Sequence, residues 1–472
     1  MNASYTPTGL HATLEIQRAA YDAAPFAEWD ERRDRLERLR RLLAENEAAI
    51  EAAIDTDFAG RPRMETQIAE IFPSLAAIRG AIGHGKSWMK PRSAGVSKWF
   101  LPASAQVVPR PLGVVGIIVP WNYPLFLALG PLVAALVAGN RAMVKMSEFT
   151  PAFAELFQQL IAAAFQPDEV AVITGGPEIA AQFSALPFDH LLFTGSTAVG
   201  RSVMRAAAQN LTPVTLELGG KSPAIIAPGY PMAHAVQRVL AGKLLNAGQT
   251  CIAPDYVLVP RADLPVFVDA ARQQARSMYP AGLDDADYCS IINARHYQRL
   301  AGYVDQARSA GLRVVPLFDG RERIEASHRL APALLIDPSG EMPAMHDEIF
   351  GPILPVIPYD DVKEAVASIN AQPRPLAMYW FDHHRERIQW VLKNTHAGGV
   401  CINETLMHVA QEDLPFGGIG PSGMGHYHGK WGFDTFSKLT PVFRQARFNG
   451  MKLFLPPYRP HVARMLRWMK RF

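Results

Sequence analysis

Cysteine is scarce in this chain: three residues, Cys251, Cys289 and Cys401, among 472. An odd number at irregular spacing builds no disulfide framework and points to a reducing compartment, so the thiols are read as free and the expected location is the cytoplasm. Charge of one sign is also lacking. The 47 basic residues against 44 acidic ones leave a formal charge of +3, too little over this length for general capture of nucleic acid. The opening stretch Met1–Thr8 has no basic segment followed by an apolar core, so no secretory signal is expected. Histidines at His383-His384 and His426-Tyr427-His428 have no Cys or Asp cluster beside them; they are read as surface residues, and no metal is expected. Long apolar runs are missing apart from one. Tyr123 to Gly139 is apolar almost throughout, but Gly130-Pro131 interrupts it, and it stands at the short limit for crossing roughly 30 Å of hydrocarbon. It is expected to be a buried helix that starts at a proline and stops at Gly139-Asn140.

What the chain does have is periodicity. Residues 26 to 58 carry Leu36, Leu39, Leu43, Ile50 and Ile54 at helical spacing among dense Glu and Arg, which predicts a surface helix ending at Gly60. From Val114 the pattern turns to short β-branched runs, each followed by a turn and a helical stretch. Strands are expected at 114–119, 142–145, 170–174 and 190–194, with helices at about 124–138, 151–165, 177–185 and 199–209. After a strand at 214–218 and the turn Gly219-Gly220, the same alternation gives strands at 224–226 and 256–259 and helices near 231–245 and 264–278. Strands alternating with helices mean βαβ units and a mostly parallel sheet covered on both faces. Ligands bind such sheets beyond the carboxyl ends of the strands. The proline-rich region Pro102–Pro111 reads as an extended arm.

Cys251 lies in Asn246-Ala247-Gly248-Gln249-Thr250-Cys251, among small and amide side chains that could hold a thiol open to substrate. Thiolate is the strongest nucleophile among ordinary side chains and needs only a modestly lowered pKa; the competing reading is a buried structural cysteine. Five further motifs share one chain order with its own GQTC at 248–251: PWNYP at 120–124, VKMSE at 144–148, FTGSTAVG at 193–200 and ELGGKSP at 217–223 before it, and EIFGP at 348–352 after it. A single Gly-rich turn is a weak sign. The ordered set resembles the NAD(P)-dependent aldehyde dehydrogenase superfamily over roughly residues 10 to 440. The wording NAGQTCIAPDY and ETLMHVAQEDLPFGGIGPSGMG is most similar to its class 3 branch, which includes fatty-aldehyde and coniferyl-aldehyde dehydrogenases.

That resemblance implies an α/β fold with a Rossmann-type cofactor domain (1–85 and 105–216), a second α/β catalytic domain (217–414), a small oligomerisation arm (86–104 and 415–440) and a basic amphipathic tail (441–472). It implies Cys251 as the nucleophile, Asn122 as an oxyanion donor and Glu217 as the general base. Taken singly, Asn122 reads equally as an Asx turn before Pro124 and Glu217 as a strand-end surface carboxylate. For the cofactor it implies Lys145 and Glu148 at the adenosine ribose, Gly195, Ser196 and Gly200 around the pyrophosphate, Trp121 as adjoining wall, and Glu348 and Phe350 at the nicotinamide end. Alone, Lys145 and Glu148 would be a solvated ion pair. A carboxylate at the ribose favours NAD, with NADP still possible. The expected substrate is an aromatic or other hydrophobic aldehyde, and the expected assembly is a homodimer. Cys289 and Cys401 have no motif of their own. After Asp434 the chain has no acidic residue, and Val462, Met465, Leu466, Met469 and Phe472 share one face of a basic helix. Docking of this tail on a subunit or over the substrate funnel is preferred to contact with an anionic membrane.

Overall fold

Residues 7–471 are described by a computed structural model. Six strands form the first sheet, in the order Gly423–Met424, Val214–Leu218, His190–Gly195, Val114–Ile118, Arg141–Lys145, Val170–Ile173. All but the two-residue edge strand run parallel. The chain winds outward in one direction and then returns, so the strand order reverses between Val114–Ile118 and His190–Gly195. A crevice opens at the carboxyl ends of strands where such a reversal occurs. In register, Thr194 stands beside Glu217, and Glu217 beside Gly423.

The apolar run forms the helix Phe126–Ala138, buried on every side except at Gly130. It lies on the strands Val114–Ile118 and Arg141–Lys145 under the helices Trp29–Glu45, Phe72–Trp88 and Gly429–Thr435, which explains apolar residues on all faces. Its start is Phe126, two residues past Pro124, because the Glu70 carboxylate accepts from Leu125 and Phe126 N–H at 2.7 and 3.2 Å and fixes the first turn there. The expected surface helix over 26–58 is two helices, Trp29–Glu45 and Glu47–Phe58, meeting at Asn46. Its leucines are core, and Arg32 is buried as well. The Arg32 guanidinium donates to Val137 O and Ala138 O at 3.1 and 2.7 Å, closing the carboxyl end of the buried helix, where Gly139 takes φ +94°.

A second sheet of seven strands has the order Val314–Pro316, Ala333–Ile336, Ile353–Tyr359, Tyr256–Pro260, Pro223–Ile226, Ala377–Phe381, Gly399–Ile402, parallel except at Val314–Pro316. A three-stranded antiparallel sheet stands apart from both: Arg92–Ala94, Ser104–Pro111 and Ser437–Arg444. Its long pair is in register from Ser104↔Arg444 to Pro111↔Ser437. Strand pairing therefore continues past residue 104 and past residue 440, and Gly423–Met424 belongs to the edge of the first sheet. The tail ends in the helix Pro460–Met469. Val462 is buried and Trp468 meets Trp99 edge to face at 5.4 Å, so the helix lies on this chain's own arm. Phe472, expected on the same face, is outside the described residues. Among the described residues no helix is long and apolar enough to cross a membrane.

Candidate active site

The helix Met232–Leu244 ends in a tight turn, Leu245–Gly248, in which Asn246 and Ala247 are left-handed (φ 53° and 50°) and Gly248 has φ 78°. Left-handed backbone at a non-glycine costs roughly 1–2 kcal/mol, so the turn has to be held. The Glu65 carboxylate accepts from Asn246 N–H at 3.1 and 3.2 Å. Asn246 Nδ2 donates to Asn122 O at 3.0 Å and Gln249 O at 3.2 Å, while Gln249 Nε2 donates to Asn246 O and Ser290 O, both at 3.0 Å. Held this way, the turn delivers Cys251 to a cavity of about 360 Å³ lined also by Trp121, Asn122, Gly195, Ser196, Glu217, Glu348 and Phe350.

Asn122 comes from the end of the strand Val114–Ile118. One of its Nδ2 hydrogens is committed to Gln249 O at 3.1 Å, which orients the amide and leaves the second for the cavity. Glu217 comes from the neighbouring region of the same sheet. Both of its carboxyl oxygens are buried and neither has a hydrogen-bond partner. Burial raises its pKa well above the ordinary carboxylate range. Glu348 is pushed up to about 8, first by burial and then by the charge of Asp255. Gly219 is small because an added Cβ would overlap the Glu348 carboxylate.

The thiol departs from the expected modestly lowered pKa. Burial, then the charges of Glu348 and Glu217, raise Cys251 to about 12. Two carboxyl groups act on it and, among the described residues, no cation offsets them, so the resting group is the neutral thiol.

The remaining cofactor candidates sit around the crevice. Ser196 caps the helix Thr197–Ala208, accepting from Val199 N–H at 3.4 Å, and the free N–H groups of that first turn form a cradle suited to a pyrophosphate. Gly200 is buried against Leu218, where a Cβ would come within 2.7 Å. Lys145 ends the strand Arg141–Lys145 and donates to Met146 O at 2.6 Å and Gly175 O at 2.7 Å; burial lowers its pKa. Glu148 is exposed nearby. Lys145, Glu148 and Gly200 do not line the cavity itself. A helix-capped turn at the strand reversal, beside a cavity with orphaned Glu348 Oε1 and Thr194 Oγ1, fits a dinucleotide lying along the strand ends.

Several lining residues were not singled out from sequence: Thr194, His296, Arg299, Tyr303 and Asp347. His296, Arg299 and Tyr303 follow i, i+3, i+7 spacing on the helix Ala294–Ser309, a signal that a polar helical face would have supplied. Arg299 donates to Ile349 O at 2.9 Å and Tyr303 OH to Asp347 at 2.9 Å, so this face holds the segment carrying Glu348 and Phe350. Phe350, at φ 51°, packs edge-on against Trp121 at 5.4 Å. The reading of His428 as a surface residue is corrected. Its ring stacks on Phe416 at 5.3 Å and approaches Phe126 at 6.2 Å, and both ring nitrogens are buried without a partner. Its segment folds over the buried helix, and burial, then His408, pushes its pKa down to about 3. His383 and His384 are exposed. Cys289 and Cys401 are buried, against Asn246 at 3.3 Å and His408 at 3.1 Å respectively.

The chain belongs to the aldehyde dehydrogenase family: the profile described as Aldehyde dehydrogenase family matches residues 4–442. Among its relatives is a probable coniferyl aldehyde dehydrogenase of Pseudomonas aeruginosa, 53% identical over 458 residues that cover 97% of this chain and 95% of the relative. A coniferyl aldehyde dehydrogenase of Pseudomonas sp. is 45% identical over 452 residues, covering 95% and 94%. Among solved structures, a substrate-bound state of Staphylococcus aureus AldH superposes with a TM-score of 0.93 at 35% identity, covering 98% of this chain and 99% of that one. The Mycobacterium tuberculosis aldehyde dehydrogenase complexed with NAD+ gives 0.84 at 28% identity, covering 94% and 91%.

Proposed function

We propose that this cavity oxidises an aldehyde to its carboxylic acid with NAD, Cys251 carrying the acyl group, Asn122 holding the oxyanion and Glu217 handling protons. The observation that carries the reading is the convergence of these three residues, from three separate segments, on one cavity. A neutral thiol beside an unpartnered carboxylate suits the first step. Glu217 in its anionic form accepts the thiol proton as Sγ bonds to the carbonyl carbon, and the new oxyanion is met by Asn122 Nδ2 and the Cys251 backbone N–H. Bound NAD supplies the hydride acceptor for the carbon–hydrogen bond that then breaks. The resulting Cys251 thioester needs water. Glu217, having released its first proton to solvent, takes one from that water; the hydroxyl adds to the acyl carbon and Sγ leaves with the carboxylic acid free. Trp121, Glu348 and Phe350 serve the nicotinamide end, Gly195, Ser196 and Gly200 the pyrophosphate, and Lys145 with Glu148 the adenosine ribose. An exposed carboxylate there disfavours a 2′-phosphate, so NAD is preferred while NADP remains usable.

The substrate is a coniferyl-type aromatic aldehyde. Relatives at 53%, 46% and 45% identity bear that name, and the aromatic rings of Trp121 and Phe350 line the cavity that holds the thiol. We assign the first sheet and its helices to the cofactor, the second sheet to catalysis, and the three-stranded arm to a homodimer working in the cytoplasm. Transfer of the acyl group to CoA or phosphate is the competing chemistry; the presence of Glu217 favours hydrolysis. A screen of aromatic and aliphatic aldehydes with NAD and with NADP, with and without CoA or phosphate, tests the assignment. Acid formation from coniferyl aldehyde with NAD alone is expected, and product appearing only with CoA or phosphate overturns the hydrolytic route.

A further inference from the structure

Behind the oxyanion donor lies a buried ionic group that the chemistry above does not use. The Arg61 side chain and the Glu70 side chain are both fully buried and pair at 3.2 Å. Arg61 Nη1 also donates to the backbone carbonyl of Asn122 at 2.7 Å. Its Nε and Nη2 have no hydrogen-bond partner; the guanidinium is held by the rings of Phe58 and Tyr123, whose centroids lie 5.0 and 4.8 Å away. The other Glu70 oxygen fixes the N–H groups of Leu125 and Phe126, just beyond Asn122. Glu65 holds the N–H of Asn246, whose side chain meets the same Asn122 carbonyl.

Between these two acids the backbone passes into a π-helical turn, Gln67–Ile71. In a regular α-helix, positions five apart diverge by about 140°, yet Glu65 and Glu70 both reach the loops that make the site. Single π turns of this kind recur at functional sites. One short segment thus grips both strips of the oxyanion hole, the Asn122 loop and the turn leading to Cys251.

We propose that Arg61 is a positioning residue for the oxyanion hole. By holding the Asn122 carbonyl it fixes the peptide from which the Nδ2 donor hangs, and the second Nδ2 hydrogen stays aimed into the cavity. The inference rests on the reading of Asn122 as the oxyanion donor. Lysine at this position keeps the charge but loses the planar guanidinium that lies against Phe58 and Tyr123 while its Nη1 meets both Glu70 and Asn122 O.

A double-mutant cycle tests it, with Arg61→Lys, Arg61→Gln, Asn122→Ala and the two double variants. Each is measured for kcat and KM with aldehyde and NAD, for hydrolysis of 4-nitrophenyl acetate, for NAD affinity and for melting temperature. Ester hydrolysis passes through an oxyanion on the same thiol without hydride transfer. Asn122→Ala is expected to lower kcat roughly 100-fold, as loss of one oxyanion donor does. Arg61→Gln is expected to lower kcat and ester hydrolysis alike by about 30-fold, as misplacement of a catalytic group does, with KM and NAD affinity changed less than about 3-fold and Arg61→Lys recovering only part of the loss. In the Asn122→Ala background the Arg61 changes are expected to cost less than about 2-fold, because residues acting as one unit are not additive. Full additivity, or a single-variant loss below 2-fold, overturns the inference while leaving Asn122 in place. Failure of both Arg61 variants to fold makes Arg61 a stability residue and overturns it too. Undiminished kcat in Asn122→Ala overturns instead the assignment of the oxyanion donor on which it rests.

Discussion

Burial keeps a proton on Glu217 in the folded chain at pH values where the unfolded chain has lost it, since its pKa is raised well above the ordinary range. Between the unfolded value of about 4.3 and the raised folded value, the native state binds more protons, so this group's contribution to stability falls as pH rises through that window. The carboxylate form that accepts protons is the form that burial penalises. Glu217→Gln is therefore expected to melt higher than the parent at pH 8, by roughly 2 °C, and no higher at pH 4. In the same variant turnover falls by about 100-fold or more, as for loss of a general base, and intact mass after aldehyde and NAD shows the acyl adduct on Cys251. Absence of that adduct removes Glu217 from thioester hydrolysis. A thiol raised to about 12 has a second consequence. Alkylation of Cys251 by iodoacetamide in the NAD-free protein should rise about tenfold per pH unit from pH 7 to 9 without a plateau, following the thiolate fraction; a plateau near pH 8 contradicts a neutral resting thiol.

At the scale of elements, the helix Ala294–Ser309 lines the cavity with His296, Arg299 and Tyr303 and braces the segment that carries Glu348 and Phe350. Arg299 ties the Ile349 carbonyl, immediately before Phe350, whose left-handed backbone needs outside support. Arg299→Met is expected to raise KM for NAD by about 3- to 10-fold, the loss of one charged hydrogen bond, with aldehyde KM little changed; equal changes in both would place its effect elsewhere. This helix shows where sequence reading stops. Strands with β-branched runs between glycines, such as Val114–Ile118 and Val214–Leu218, were legible to within a residue or two, because alternation and turn chemistry are local. The six motifs were legible as an ordered set, and twelve residues from five of them line one cavity. What stayed hidden depends on remote partners. Arg32 reads as a charge on a solvated face, yet it is buried by carbonyls more than a hundred residues away, and nothing beside Arg61 in sequence announces the Asn122 carbonyl that it meets. His428 looked exposed because nothing adjacent in sequence announces Phe416 and Phe126 as its neighbours.

For the whole molecule, the arm and the tail lie together. Leu439 and Phe443 on the long arm strand and Phe448, Leu453 and Leu455 beyond it are exposed, an apolar surface next to a run of basic residues. Apolar surface of this kind marks an interface, and it supports the proposal of a homodimer formed through the arm. Sedimentation equilibrium is expected to give the mass of two chains, with Phe443→Asp shifting it toward one; a monomeric parent chain contradicts the assembly. The tail helix contributes differently, through Trp468 against Trp99.

The two-residue strand Gly423–Met424 closes the outer edge of the strand that carries Glu217. From there the chain runs through the helix Gly429–Thr435, packed on the buried helix, straight into the long arm strand Ser437–Arg444. The proposed partner surface and the backbone that borders Glu217 are thus stretches of one ribbon. A chain cut short before Gly423 would keep Cys251, Asn122 and Glu217 in its sequence and still lose the strand that pairs with Glu217, opening to solvent the sheet edge beside the one carboxyl group whose raised pKa comes from burial alone.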